Sequence, residues 1–231
     1  MKLYTGKTQD MLTDVESPTT RASLHGHVAA LRERLAELPA GAPERAEVLL
    51  DQARALLRLD RREEAWAPAR EALDGFLAAR RWERAVEACE ALFLTEQPQS
   101  LAALGQGVWL AVTFPINPEV TIEMLRRIVE ETPDDSDGAA VAAATAHYVA
   151  DLRSEGQQRE NLLFYTGQLL SSVARRHSQV ETDEALQAWL RRLELDQPER
   201  FLVRLRNVVD ILVQDDWWVD REAIHATIPV N

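Results

Sequence analysis

RREEAWAPAREALDGFLAARRWERAVEACEALF, residues 61–93, is the stretch that decides the fold. Apolar and small side chains return every three or four positions. They are Ala65, Trp66, Ala69, Leu73, Phe76 and Leu77 in the first part, then Val86, Cys89 and Leu92 in the second. That period lines them along one face of a helix. A charged turn separates the parts, so the stretch reads as two helices in succession, one beginning at Asp60 and one spanning Trp82 to Phe93. Pro68 lies within the first and either kinks it or marks the first turn of a later start.

The same pattern extends outward in both directions. Upstream, Leu24, Val28, Leu31, Leu35 and Leu38 stripe a helix from about Ser23 to Leu38, which PAGAP ends. Pro43 opens another, Glu44 to Leu59, with Val48, Leu49, Ala53, Leu56 and Leu57 on its inner face. Downstream, Leu101 to Phe114 carries no charge, so it must be covered on nearly all sides. Asn117 caps the next helix and Pro118 is its first residue; Val120, Met124, Ile128 and Val129 face inward. The loop PDDSDG leads to AAVAAATAHYVADL, whose small side chains let a neighbouring backbone come close. Gln157 to Arg176 follows, carrying Leu162, Leu163, Tyr165, Leu169, Leu170 and Val173. Thr182 caps a helix to Leu193, and Pro198 begins another. DDWWVDREAIHATIPVN ends the chain as a short helix and an extended tail. No strand is expected. The fold class is all-α, stacked antiparallel helical hairpins, about nine to ten helices. Residues 1–21 read as a flexible segment, with SPTT a turn. Residues 22–231 form the helical domain, with 22–96 and 97–231 as its possible halves.

Composition narrows the function classes. The formal net charge is −12 over 231 residues, which argues against a broad grip on nucleic acid, since phosphate binding needs a basic face. Lys2 and Lys7 are the only lysines. The arginines place fixed, forked donors along the helices, suited to pairing with carboxylates between helices. Cys89 is the sole cysteine, so neither an internal disulfide nor a cysteine-based zinc site can close. MKLYTGKTQD has no apolar core of a secretory signal. LAALGQGVWLAVTFPI, about 16 residues broken by Gly, Gln and Pro, is too short for a membrane span. The expectation is a cytoplasmic protein.

RREEAWAPAREAL (61–73) and RRWERAVEACEAL (80–92) share a texture: a charged turn, an acidic or aromatic residue, then Ala and Leu at helical spacing. They resemble the second helix of tetratricopeptide repeats over residues 44–95. Their spacing of about 20 residues differs from the roughly 34 of that family, and the Gly-Tyr part of its pattern is missing. The resemblance therefore implies tetratricopeptide-like hairpins, a tetratricopeptide-like α-solenoid, rather than strict repeats. Downstream, FPINPEV, AVAAATAHYVADLR, GQQRENL, ARRHSQVET and LVQDDWW look like a group of uncharacterised bacterial proteins associated with uptake [NiFe] hydrogenases. That resemblance implies a hydrogenase accessory or assembly role, with a hydrogenase subunit as partner, and assigns no residues.

Candidate sites are few. Thr5-Gly6-Lys7-Thr8 lacks the upstream Gly and the strand of a phosphate loop. His25 and His27 offer only two metal ligands. Glu222 and His225 have the i, i+3 spacing of di-iron bundles, but no second such unit exists. His147 reads as a hydrogen-bonded core residue. Arg175, Arg176 and His177 suit a helix C-terminus. Cys89 faces inward, with Glu87 and Glu90 expected to raise its pKa. No catalytic, cofactor or metal residue is assigned.

Asp215, Asp216, Trp217, Trp218 and Arg221 stand out as partner-binding candidates. Adjacent Trp residues on a helix point about 100° apart, so they do not share one core face. One is expected to pack inward and the other to remain available as an anchor, Trp and Arg being favoured in that role. The competing reading has both Trp cap the stack. The expected function is a non-catalytic scaffold or adaptor for a partner protein, with no cofactor. The alternatives are a metal-binding bundle that gathers His147, His177, His225, Glu181 and Glu222, or a regulator with a small ligand beside Tyr148.

Overall fold

The computed structural model describes residues 18–226. The Thr5–Thr8 motif and the C-terminal tail from Thr227 lie outside them. Eleven α-helices and no strand occur among the described residues: α1 Pro18–Glu37, α2 Arg45–Arg58, α3 Arg62–Ala78, α4 Trp82–Leu94, α5 Ser100–Thr113, α6 Pro118–Glu131, α7 Asp137–Arg153, α8 Gly156–Ser178, α9 Asp183–Arg192, α10 Pro198–Val213 and α11 Arg221–His225. The fold is all-α, as its pattern predicts, with one helix more than the expected range. Two expectations are corrected. Residues 18–21 belong to α1, so SPTT is not a turn throughout. Pro68 does not mark the first turn of a later start; α3 runs from Arg62 through it, with Pro68 buried.

The chain divides into two compact units, Met1–Ser100 and Leu101–Asn231. In unit 1 each helix packs on the next, and α2 also reaches α4. Two turns are built alike. Asp60 and Arg80 adopt left-handed φ of 58° and 54°. The N–H groups of Arg61 and Arg81 then donate back to Leu56 O and Phe76 O, each at 2.9 Å. This closes the helix ends with a Schellman pattern on non-glycine residues. The shared turn gives residues 61–73 and 80–92 their common texture. Val86, Cys89 and Leu92 are wholly buried. Burial pushes the Cys89 thiol up to about 12, opposed by Arg70, so the rise comes from the core around it and not from Glu87 or Glu90.

Arginines tie the helices of unit 1 together. Arg45 pairs with Glu71 at 2.7 Å and Arg54 with Glu87 at 2.9 Å. Glu47 on α2 receives both Arg81 and Arg84. At the end of α4, the buried Thr95 and Ser100 hydroxyls both donate to Leu92 O, at 2.6 and 3.2 Å.

Unit 2 is organised around α7, which packs on α6, α8 and α10. Ala139, Ala140, Ala142, Ala143, Ala146 and Ala150 are completely buried, so their small side chains admit helices on several sides. At Gly105, α5 meets α10 so closely that an added Cβ would lie 2.6 Å from Val213 Cγ2. Arg153 donates to Ala111 O and Val112 O at 2.7 and 2.6 Å, satisfying carbonyls that the end of α5 leaves open. Asn117, Ser136 and Thr182 cap α6, α7 and α9 through their side chains. The first half of α8 differs from its pattern. Leu162 and Leu163 are only half-buried, and Phe164 and Tyr165 are exposed.

Candidate functional site

The segment after α10 begins at Gln214, whose φ of 54° ends the helix. Asp216 N–H donates back to Val213 O at 3.0 Å, and the chain turns onto α5. Gln106 of α5, fully buried, receives it. Its Oε1 accepts from Trp218 N at 2.7 Å and Val219 N at 3.1 Å. Its Nε2 donates to Asp216 O and to Ala102 O, each at 3.3 Å. All four positions of the amide are used. A buried amide without partners would cost several kcal/mol, ~2–7 by solvent transfer; here the amide fixes the backbone of residues 216–219.

On this fixed segment sit the sequence-predicted residues. Asp215 to Trp218 are not helical, since α10 ends at Val213 and α11 begins at Arg221. The 100° argument therefore does not apply, and both Trp are half-buried. Trp217 meets the edge of Trp109 with centroids 6.2 Å apart, and the Arg221 guanidinium lies 3.8 Å over its ring. Arg221 also pairs with Asp210 at 3.0 Å, so its cation is oriented from two directions. Trp218 donates from Nε1 to Asp216 Oδ1 at 2.9 Å. Asp215 is exposed. Val219, 4% exposed, anchors the segment, and Asp220 caps α11 by accepting from Ala223 N at 2.9 Å.

The structure thus joins Asp216 to Trp218 and Trp217 to Arg221, and leaves Asp215 apart. Three contributors went unread in the sequence, Gln106, Trp109 and Asp210, and His225, considered there only for metal, has its ring 5.5 Å from that of Trp109. Gln106 carried a signal. An amide in the middle of an otherwise uncharged, buried helix must find partners.

The histidines occupy separate settings. His25 and His27 are exposed on α1. His147 bonds Thr166 through Nδ1 at 2.9 Å, and burial lowers its pKa against a smaller opposing effect of Asp151. His177 accepts from Trp189 Nε1 at 3.3 Å, contacts Ser178 Oγ at 2.7 Å and reaches Asp137 through Nε2 at 3.1 Å. Hydroxyl, imidazole and carboxylate follow the order of a nucleophilic triad. Yet Ser178 stands at the negative end of α8, which disfavours an alkoxide, and the Trp189 N–H occupies the lone pair that would take its proton. Arg204 also donates to Asp137 at 2.7 Å. The group works as a tie between α7, α8, α9 and α10. Among the described residues no three His, Cys, Asp or Glu side chains converge to hold a metal ion. The gathering that a metal-binding bundle needs is therefore missing there.

Compared with family models, with curated proteins and with solved structures, the chain matches none. Among the described residues no helix is long and apolar enough to cross a membrane.

Proposed function

We propose that the chain is a helical scaffold that holds a partner protein against the Trp217–Trp218–Arg221 surface of unit 2. The observation that carries this reading is the rigid presentation of half-open aromatic rings. Gln106 fixes the backbone beneath them, and Arg221 is oriented over Trp217 by Asp210. Anchors held in place before binding lose little entropy on association, and Trp and Arg are among the residues enriched at the centres of such surfaces. The resemblance of the C-terminal half to hydrogenase-associated proteins makes a [NiFe] hydrogenase subunit the partner to test, and an accessory or assembly role the context.

The experiment is affinity purification of the tagged chain from its own cells beside Trp218→Ala and Trp217→Ala/Trp218→Ala, with thermal unfolding of each. The reading expects a hydrogenase subunit with the wild type. It expects about 30-fold weaker retention in the variants at an unchanged melting temperature for Trp218→Ala. Full retention by the double variant would remove the surface from the role. A parallel loss of retention and stability would make the two Trp a cap of unit 2.

A further inference from the structure

A cleft of about 370 Å³ opens within unit 2, and the aromatic surface takes no part in it. Its walls are His147, Tyr148 and Asp151 of α7, Leu163 of the half-open stretch of α8, Asp196 of the turn before α10, and Phe201. Ala144 of α7 also borders it, and its small side chain leaves the space.

The polar groups around this space are mostly acceptors. The Thr166 hydroxyl donates to Leu162 O at 2.7 Å, so its proton is used and the Nδ1–H of His147 must donate to it. The neutral ring is then left with Nε2 as a lone-pair acceptor, and no described residue bonds that nitrogen. Asp151 brings a carboxylate shared with Arg159. Asp196 is exposed and brings a second, which no described residue pairs. Neither Lys nor Arg lines the cleft. Tyr148 and Phe201 meet edge to face with centroids 5.8 Å apart, and with Leu163 they supply an apolar wall with aromatic faces.

Such a lining repels anions. A bare metal ion is not served either, since no three ligands converge. What satisfies the lining is a positive group with several N–H donors on a stem that lies along the rings. We propose that this cleft binds an organic cation, an ammonium or guanidinium head on a short apolar stem. The head pairs with the Asp196 carboxylate, Asp151 and His147 supply further acceptors along the same cleft, and the stem packs on Tyr148, Phe201 and Leu163. Cation–π attraction and charge-assisted hydrogen bonds act together there. The chain's net charge of −12 raises the local concentration of such ligands. The chemistry is shared by free diamines and by a Lys or Arg side chain of another protein.

The test titrates the full chain with putrescine and, separately, with N-acetyl-lysine N-methylamide, and uses n-pentanol as the neutral control. Histidine-ring nitrogen spectra report on His147. The expected result is a saturable shift of His147 Nε2 with a Kd of about 1 mM for at least one amine. Asp196→Asn should weaken it about tenfold, and Asp215→Asn should not change it. The amine that binds more tightly identifies the source. Three results would overturn the proposal: an equal response to n-pentanol, wild-type affinity in Asp196→Asn, or no saturation by either amine. Asp196 is exposed, so its substitution leaves the fold intact, and thermal unfolding of the variant verifies that.

Discussion

In unit 1, α2 and α3 approach at Gly75, where an added Cβ would lie 2.9 Å from Ala46 Cβ with no other side chain near. In unit 2, α5 and α10 approach at Gly105. There an added Cβ would meet Val213 Cγ2 at 2.6 Å, Leu212 Cβ at 3.1 Å and Val209 O at 3.3 Å. The contrast recurs throughout. Unit 1 joins apolar helix faces and adds arginine–carboxylate pairs that stay partly in water. Both units bury many alanines, and unit 2 adds a few polar side chains that each hold several elements, Gln106 and His177 among them. Single substitutions should therefore cost more in unit 2, and the cost should stay local to what the side chain holds.

Trp189→Ala should show the largest effect. The ring is 2% exposed, meets His177 edge-on at 5.7 Å and donates to its Nδ1. Truncation should cost about 3–5 kcal/mol. Urea unfolding followed by hydrogen exchange should place the loss in α7 to α10 and leave α2 to α4 protected. A loss spread evenly over both units would break the comparison.

Gln106→Leu comes next, at about 2–3 kcal/mol. The new side chain fills the space but leaves Trp218 N–H and Val219 N–H without their acceptor. Exchange protection at those two amides should vanish first. If they stay protected, the segment is held by its rings and by Val219, and Gln106 is a spectator.

The paired change Gly75→Ala and Gly105→Ala probes the contrast at a smaller scale. Each gains about 1 kcal/mol of helix propensity. At Gly105 overpacking against stiff Val213 and the Val209 carbonyl should outweigh it, for a net loss of about 1–2 kcal/mol. At Gly75 the single contact is with Ala46 Cβ, which moves only with the α2 backbone, so the strain should roughly offset the gain and leave a smaller loss than at Gly105, under about 1 kcal/mol. Equal melting-temperature shifts in the two variants would erase the difference.

The contrast also explains what the sequence disclosed. Helix positions, and the caps at Asn117 and Thr182, follow from local rules, and the periodic stripes of unit 1 needed little else. Pro68 does not mark a later start because a proline within a helix is tolerated when the surrounding core holds the helix together. The aromatic segment was legible as a feature but not in geometry. Its path depends on Gln106, 110 residues or more away in the chain, and no local period reports a contact of that range. The cleft was legible only as small residues beside Tyr148, because Asp196 and Phe201 reach it through the packing of α10 on α7.

Acid gives the smallest effect and separates the two kinds of ion pair. Burial pushes the Glu47 carboxyl up, but Arg84 and Arg81 together hold it below its ordinary value of 4.5. The same balance, with Arg126 and Arg127 as partners, lowers Glu123. A carboxyl lowered on folding adds stability that is complete above its unfolded pKa and is lost as pH falls through the folded one. Both contributions should thus fade below about pH 4.5, where a glutamate in the unfolded chain begins to take its proton. Their structural consequences differ. Glu47 on α2 pairs with Arg84 on α4, so its protonation loosens helix from helix. Glu123 pairs within α6 at i+3 and i+4, so its protonation costs only local order. Glu47→Gln should flatten the acid slope of unit 1 unfolding by about 0.5 kcal/mol, the scale of a partly solvated pair. Glu123→Gln should leave exchange protection of the neighbouring helices α7 and α8 unchanged. If Glu123→Gln instead exposes α7 to exchange, the ion pairs of unit 2 carry tertiary packing as well, and the division between the two units narrows to their buried polar groups.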